Sequence, residues 1–440
     1  MVRKTGKRFV IVLAAFLLAL APLRATADGD LRAMVLGNWY RMILELVRHT
    51  PTYTPPVASR AFAYTALIAY EATASGSPRL VSLSGQVAAL PPPPPREAGQ
   101  SYDEAAILHA ALARAVDVYF SNTGPTGQRA KAALSRQIDK ALAEEGADPD
   151  TLARSAAYGL ALAQAIISAS ADDGGAVVEN MGFPLTYTLG GAPQDWVPTN
   201  LIRLQQYPLL PDWGRNRLLV LPDPDACPLP PPPAYSEDPA SPFHAQAMEV
   251  YQASQSLTEE QKLIARFWSD DPMLSPTPPG HWVAIIFQIA QRDSLPIEVQ
   301  VDALVRLGLA VSDGFIVNWR DKFRYDLLRP VTYIRRVIDP AWEPLLITPP
   351  FPEYPSGHST QSGAVAQVLS QVFGTPFAFT DSTHEADGLA PRDFPDFWTA
   401  AREAGISRLY GGIHFRAAID LGLDQGACVG DHVNALKTWK

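Results

Sequence analysis

The residues of this 440-residue chain whose types and spacing could do chemistry concentrate in three short segments of its second half. The first, Trp319 to Pro330, carries Lys322 and Arg329 seven positions apart, so two turns of one helix would return both cations to one face. Pro330 favours a helix end at Arg329, which would point that guanidinium off a terminus. The second, Phe351-Pro-Glu-Tyr-Pro-Ser-Gly-His358, runs straight into an apolar helical pattern. Ser356 and Gly357 then fall at a helix N-terminus, where unpaired backbone N–H groups and the positive end of the dipole favour an anion. The third, Ser407-Arg-Leu-Tyr-Gly-Gly-Ile-His414, sets Arg408 and His414 on either side of Gly411-Gly412, a break that would let both side chains turn inward from one loop. Taken singly, each segment has a plain explanation: a solvated basic face, an ordinary N-cap, a core histidine. Together they supply three cations, backbone donors, a hydroxyl and two imidazoles, with no carboxylate cluster for a divalent cation. Such a set suits a tetrahedral oxyanion, because arginine offers planar forks, lysine a point charge and the turn backbone donors. One histidine could bond the central atom while the other moves protons.

Lys-x6-Arg-Pro, Pro-Ser-Gly-His and Ser-Arg-x5-His, in this order, resemble the three-part signature shared by vanadium-dependent haloperoxidases and the type 2 phosphatidic acid phosphatase superfamily. The likeness covers about residues 265 to 435. Phe267-Trp268-x-x-Asp271 with Thr277-Pro-Pro279, and Trp319 three positions before Lys322, resemble the soluble chloroperoxidase-like branch; residues 28 to 172 fit that branch's first helical bundle in pattern only. The resemblance implies that Lys322, Arg329, Ser356, Gly357 and Arg408 bind the oxygens of vanadate, that His414 bonds vanadium at the apical position and that His358 is the acid/base. It further implies that Asp271 pairs with Arg408. Hydrogen peroxide, a halide and a small organic acceptor would be the partners, and a hypohalous acid equivalent the product.

Phosphate would occupy the same site, so the alternative is an exported acid phosphatase in which His414 forms a phosphohistidine and His358 protonates the leaving group. The sequence departs from the family where an Asp often stands four residues after the apical histidine: Ala418 is there, and Asp420 lies nearer the opposite helix face. What orients His414 is therefore open. Phe351, seven before His358, is the chloroperoxidase-type residue where bromoperoxidases often have a second histidine, which does not fix the halide.

The elements that must position these residues are helical. Apolar residues recur at three- and four-residue spacing over 31–48, 59–74, 103–119 and 127–145, and 150–171 is rich in Ala and Leu. Helical pattern resumes over 242–256, 258–268, 280–290, 296–328, 358–373, 393–405 and 417–436, with Thr258 and Gln261 spaced as a capping box. Between them, 173–241 loses periodicity; Leu218–Leu221 is a candidate strand, and this excursion together with His281 is placed at the entrance of the site. The expected fold class is all-α, with two four-helix-bundle-like halves, an N-terminal bundle over 28–172 and a catalytic bundle over 242–440. Charges run throughout the helical segments, so none reads as a membrane span and no stable membrane association is expected.

Composition frames this reading. At 47% hydrophobic and 18% charged residues the chain can bury a core, and its 41 prolines cluster in connections such as Pro91–Pro95 rather than in a repeat. Basic residues ahead of an apolar run from Phe9 to Ala21, then Ala25-Thr-Ala27, predict a cleaved secretory signal over 1–27 and an exported protein. Removing that segment takes five basic and no acidic side chains, moving the net charge from −9 to −14 and excluding a nucleic-acid partner. Cys227 and Cys428 would either pair in an oxidising compartment or stay as two buried thiols. A homodimer is left open.

Overall fold

The computed structural model describes residues 30–178, 182–184, 186–199 and 206–440; the expected signal over 1–27 lies outside them. The chain runs through α1 (Leu31–Arg48), α2 (Pro55–Ala74), α3 (Glu104–Tyr119), α4 (Pro125–Glu144) and α5 (Pro149–Ser170). It then crosses an irregular stretch to α6 (Pro242–Gln255), α7 (Glu259–Phe267), α8 (Thr277–Asp293), α9 (Ile297–Tyr325), α10 (Pro330–Val337) and α11 (Gly357–Phe373). A two-stranded antiparallel hairpin, β1 (Phe379–Asp381) and β2 (Arg392–Phe394), precedes α12 (Phe397–Tyr410) and α13 (Arg416–Asn434). Local signals start α1 and α7 within a residue of where the sequence placed them: Asp30 caps α1, and Thr258 with Gln261 closes both bonds of the capping box on α7, while α2, α8 and α12 start three to four residues from the expected positions. α5 alone among the described helices has the length and composition of a membrane span, against the expectation that none would; one of its faces is buried, on α3.

One apolar cluster draws residues from Val35 to Leu436, so both helical halves share a core. α2 and α9 form its centre, buried on nearly every face. Their backbones meet at Gly308, where a Cβ would come within 2.9 Å of the Ala63 Cα. α11 crosses α13 as closely: a Cβ on Gly426 would lie 2.1 Å from the Thr360 carbonyl oxygen. That approach lets the Ser356 N–H at the start of α11 donate to the Ala418 carbonyl of α13 at 3.0 Å, locking two motif segments together.

The excursion differs from its expectation in one respect. Leu218–Leu221 is not a strand, because the Leu219, Val220 and Leu221 N–H groups donate to the Asp313 carboxylate of α9 at 2.7, 2.8 and 2.8 Å. A buried side chain has taken the place of a neighbouring strand. Elsewhere the excursion braces the motif segments: the Trp196 N–H donates to the Asp326 carbonyl, Leu209 N–H to Pro350, and the Tyr354 hydroxyl to Pro230. Cys227 and Cys428 are joined, tying it to α13.

Candidate active site

Lys322 and Arg329 do not share a helix. α9 ends at Tyr325, with Asp326 in the left-handed conformation (φ 42°), and Arg329 precedes Pro330 as the N-cap of α10, a helix the sequence reading missed. The turn between them still points both cations inward, and both are fully buried. The Lys322 ammonium donates to the carbonyls of Pro352, Glu353 and Pro355, so its three protons hold the backbone leading into α11. Arg329 donates from Nε to the Phe351 carbonyl (2.8 Å) and from Nη1 to the Ile413 carbonyl (2.9 Å), while its Nη2 has no partner. Phe351 lies against both cations, with its ring centre 5.2 Å from Lys322 Nζ and 4.9 Å from the Arg329 guanidinium, and tilts against Trp319.

Ser356 is the N-cap of α11, its Oγ accepting the Ser359 N–H, and Gly357 and His358 form the first turn. Arg408 sits in the last turn of α12 rather than in a loop; the break falls at Gly411 and Gly412 (φ 75°), and His414 follows in the short connection to α13. The Arg408 Nη1 lies 2.9 Å from His358 Nε2, and its Nε and Nη2 have no partner. The Arg329 Nη1 lies 3.1 Å from His414 Nε2. The structure thus brings together Lys322, Arg329, Ser356, Gly357, His358, Arg408 and His414, from three sequence segments, around one buried point.

Two further expectations change. Asp271 makes no hydrogen bond or ion pair with Arg408 and feels it only at charge range. Asp270, with φ 49°, turns the chain there; its own carboxylate goes inward and Asp271 stays half-buried. His281, expected near the entrance, has no exposed surface at all. The residue the sequence reading missed is Glu353. Its Oε1 accepts from His414 Nδ1 at 2.8 Å and from the Phe415 N–H at 2.8 Å, and it is fully buried. Glu353 supplies the orientation that Ala418 cannot. Its signal was its place five residues before His358 inside the second motif, with no helical or strand period to single it out.

The electrostatics follow from packing several cations out of water. Burial pushes Lys322 well below the usual lysine range, Arg329 down to about 9 and Arg408 to about 10. Burial first, then the neighbouring cations, drive His358 and His414 well below 6.5, so both imidazoles are neutral at physiological pH. Burial also raises Glu353 to about 7, opposed by Arg329. With Nδ1–H committed to Glu353, His414 presents the lone pair of Nε2 to the pocket.

These features match a known family. Residues 302–438 match the family described as the VCPO second helical-bundle domain. A crystal structure described as the first bacterial vanadium-dependent iodoperoxidase is 34% identical, superposes with a TM-score of 0.82, and covers 92% of this chain and 97% of its own. The chain belongs to the vanadium-dependent haloperoxidase family. The vanadium chloroperoxidase of Curvularia inaequalis is 26% identical over 211 residues, a match spanning 34% of this chain and only 35% of that relative's length. A bacterial vanadium-dependent chloroperoxidase in its holo form, 20% identical with a TM-score of 0.67 over 89% of this chain and 94% of its own, shares the fold.

Proposed function

We propose that the pocket binds vanadate and that the protein oxidises a halide with hydrogen peroxide to a hypohalous acid equivalent, which halogenates a small organic acceptor. The observation that carries this reading is a set of buried donors without acceptors, Arg329 Nη2 with Arg408 Nε and Nη2, beside the unprotonated Nε2 of His414. Buried donors on cations favour an anion, and the His414 Nε2 lone pair, which now accepts from Arg329 Nη1 at 3.1 Å, is a ligand atom that an electron-poor centre could take over. Vanadate fits both demands, and when bound it would supply a Lewis-acid centre that activates peroxide without changing its own oxidation state.

The chain's own residues divide the remaining work. Arg329 Nη2 and Arg408 Nε and Nη2 would hold oxygens, the N-terminus of α11 at Ser356 and Gly357 would add its dipole, and His414 Nε2 would bond the metal. Lys322, its protons engaged by carbonyls, contributes positive charge and the shape of the 352–355 backbone. His358, neutral and held at Nε2 by Arg408, is fit to take a proton from hydrogen peroxide and return it to the departing oxygen. Trp319 and Phe351 form an aromatic wall beside Lys322 that would strip water from an approaching halide. Iodide is the first halide to test, because the relative that is 34% identical over 92% of this chain is described as an iodoperoxidase, against 20% identity to the bacterial chloroperoxidase. Export of the protein is part of the same proposal and rests on the pattern of residues 1–27.

The test incubates purified apo-protein with orthovanadate, peroxide and iodide, bromide or chloride, following halogenation of monochlorodimedone or triiodide formation alongside p-nitrophenyl phosphate hydrolysis. Vanadate-dependent halide oxidation is expected. Phosphate-ester hydrolysis without vanadate and without halide oxidation would overturn the proposal in favour of a phosphatase.

A further inference from the structure

Within charge range of Arg408 and His358 lies a second buried cluster to which the reaction assigns no step. Asp270, in the turn after α7, His281 of α8 and His384, between β1 and β2, come from separate segments and are 3%, 0% and 5% exposed. One ligand atom from each lies within 4.8 Å of the others. We propose that Asp270, His281 and His384 form a site for one divalent transition-metal ion of the zinc type, distinct from the vanadate pocket.

The outer side of each imidazole carries the argument. His281 Nε2 lies 2.7 Å from Asp381 Oδ2, and His384 Nδ1 lies 3.1 Å from Asp387 Oδ2. Asp381 is itself fixed by the Thr383 N–H (3.0 Å) and hydroxyl (2.7 Å), and Asp387 pairs with Arg48. Both histidines therefore turn one nitrogen to an orienting carboxylate and the other toward Asp270, the arrangement that fixes a metal-ligating imidazole. On the inner side both rings share the single carboxylate of Asp270. Asp270 Oδ1 and Oδ2 are each 3.0 Å from His281 Nδ1, so neither oxygen owns that contact, and Oδ1 is 3.3 Å from His384 Nε2.

Proton bookkeeping points the same way. Each ring lies between two carboxylates, so without a metal all four ring nitrogens must carry protons. That makes two imidazolium ions with ring centres 4.9 Å apart, both out of water and sharing one inner carboxylate. A dication that takes the place of the two inner protons leaves the total charge of the cluster unchanged and removes the repulsion between the rings. The exchange balances as one metal dication in and two protons out, with the outer N–H groups kept on Asp381 and Asp387. Trp268 stacks on His281 at 4.6 Å and Phe267 meets His384 edge-on at 5.3 Å, giving the apolar surround that keeps such a site dry. Two imidazoles and a carboxylate suit zinc among the divalent ions. The turn Glu385–Asp387 next to His384 is exposed.

The experiment strips the full-length protein with a chelator, then titrates zinc by calorimetry near neutral pH in two buffers of different ionisation enthalpy. About one zinc per chain, with about two protons released for each, is expected. Zinc-edge X-ray absorption should find imidazole nitrogens at about 2.0–2.1 Å and carboxylate oxygen at about 2.0–2.2 Å. His384→Gln should abolish retention of zinc through dialysis. No zinc bound by the wild-type chain, a first shell without imidazole, or zinc retained undiminished by a folded His384→Gln variant would each overturn the proposal. The absorption spectrum decides on the wild-type protein alone if the variant does not fold.

Discussion

Replacing Glu353 with Gln perturbs the pocket at one atom pair. Glu353 Oε1 accepts two N–H groups, from His414 Nδ1 and Phe415, both at 2.8 Å and both fully out of water. Gln keeps the shape and an acceptor oxygen, so the fold should survive, but above about pH 7, where Glu353 is ionised, it removes the charge that makes these bonds strong. Hydrogen bonds to charged groups contribute about 1.5–3 kcal/mol each, against about 1 kcal/mol for neutral ones. The difference at His414 is therefore about 1–2 kcal/mol, and loss of the negative charge beside Nδ1 also lowers the donor strength of Nε2. Outer carboxylates on ligating histidines carry about 10- to 100-fold in metal affinity, which overlaps the roughly 5- to 30-fold that this difference amounts to. Orthovanadate affinity measured by titration should fall by about 10-fold or more in Glu353→Gln while its thermal unfolding shifts little. An affinity within about twofold of wild type would refute the assignment of Glu353 as the group that orients His414.

Other perturbations separate the roles of neighbouring groups. His414→Ala should abolish halide oxidation and leave the circular dichroism spectrum unchanged; retained turnover would mean another atom bonds the metal. Arg408→Lys keeps one charge but loses the unpartnered Nε and Nη2 donors, so vanadate affinity should fall by about 10-fold or more, and equal affinity would show that charge alone is sufficient. Asp313 is raised to about 6 by burial, above its unfolded value, so the native state binds the extra proton between about pH 4 and 6 and stability falls as pH rises through that window, by roughly 2–3 kcal/mol from this group. Asp313→Asn lacks that titration, so chemical denaturation at pH about 4.5 and about 7 should find the wild-type advantage shrinking with pH; an advantage that widens would contradict the sign. Reducing Cys227–Cys428, which spans 201 residues, should lower unfolding stability by up to about 5 kcal/mol, measured with and without dithiothreitol.

Much of this architecture was legible because helices announce themselves locally. α1 spans Leu31–Arg48 in both sequence and structure, since its amphipathic period and the Asp30 cap are properties of the segment itself. Failures came where a tertiary partner overrode the local pattern. Leu218–Leu221 has the composition of a strand, yet its N–H groups go to Asp313, which stands 92–94 residues away. Lys322 and Arg329 have the spacing of one helical face, yet the left-handed Asp326 ends α9 between them and starts a new geometry. The three-motif pocket was legible because each motif brings its residues on one segment. Glu353 and the Asp270–His281–His384 cluster were not, because a lone carboxylate or histidine acquires meaning only from the partners that folding brings to it.

The central claim is that Arg329, Arg408 and the neutral Nε2 of His414 converge on one anion. A crystal structure of the protein loaded with orthovanadate tests it most directly. Vanadium bonded to His414 Nε2, with its oxygens on Arg329 Nη2 and on Arg408 Nε and Nη2, is the predicted result. Vanadate bound away from His414, or held with those guanidinium nitrogens still unengaged, would contradict it.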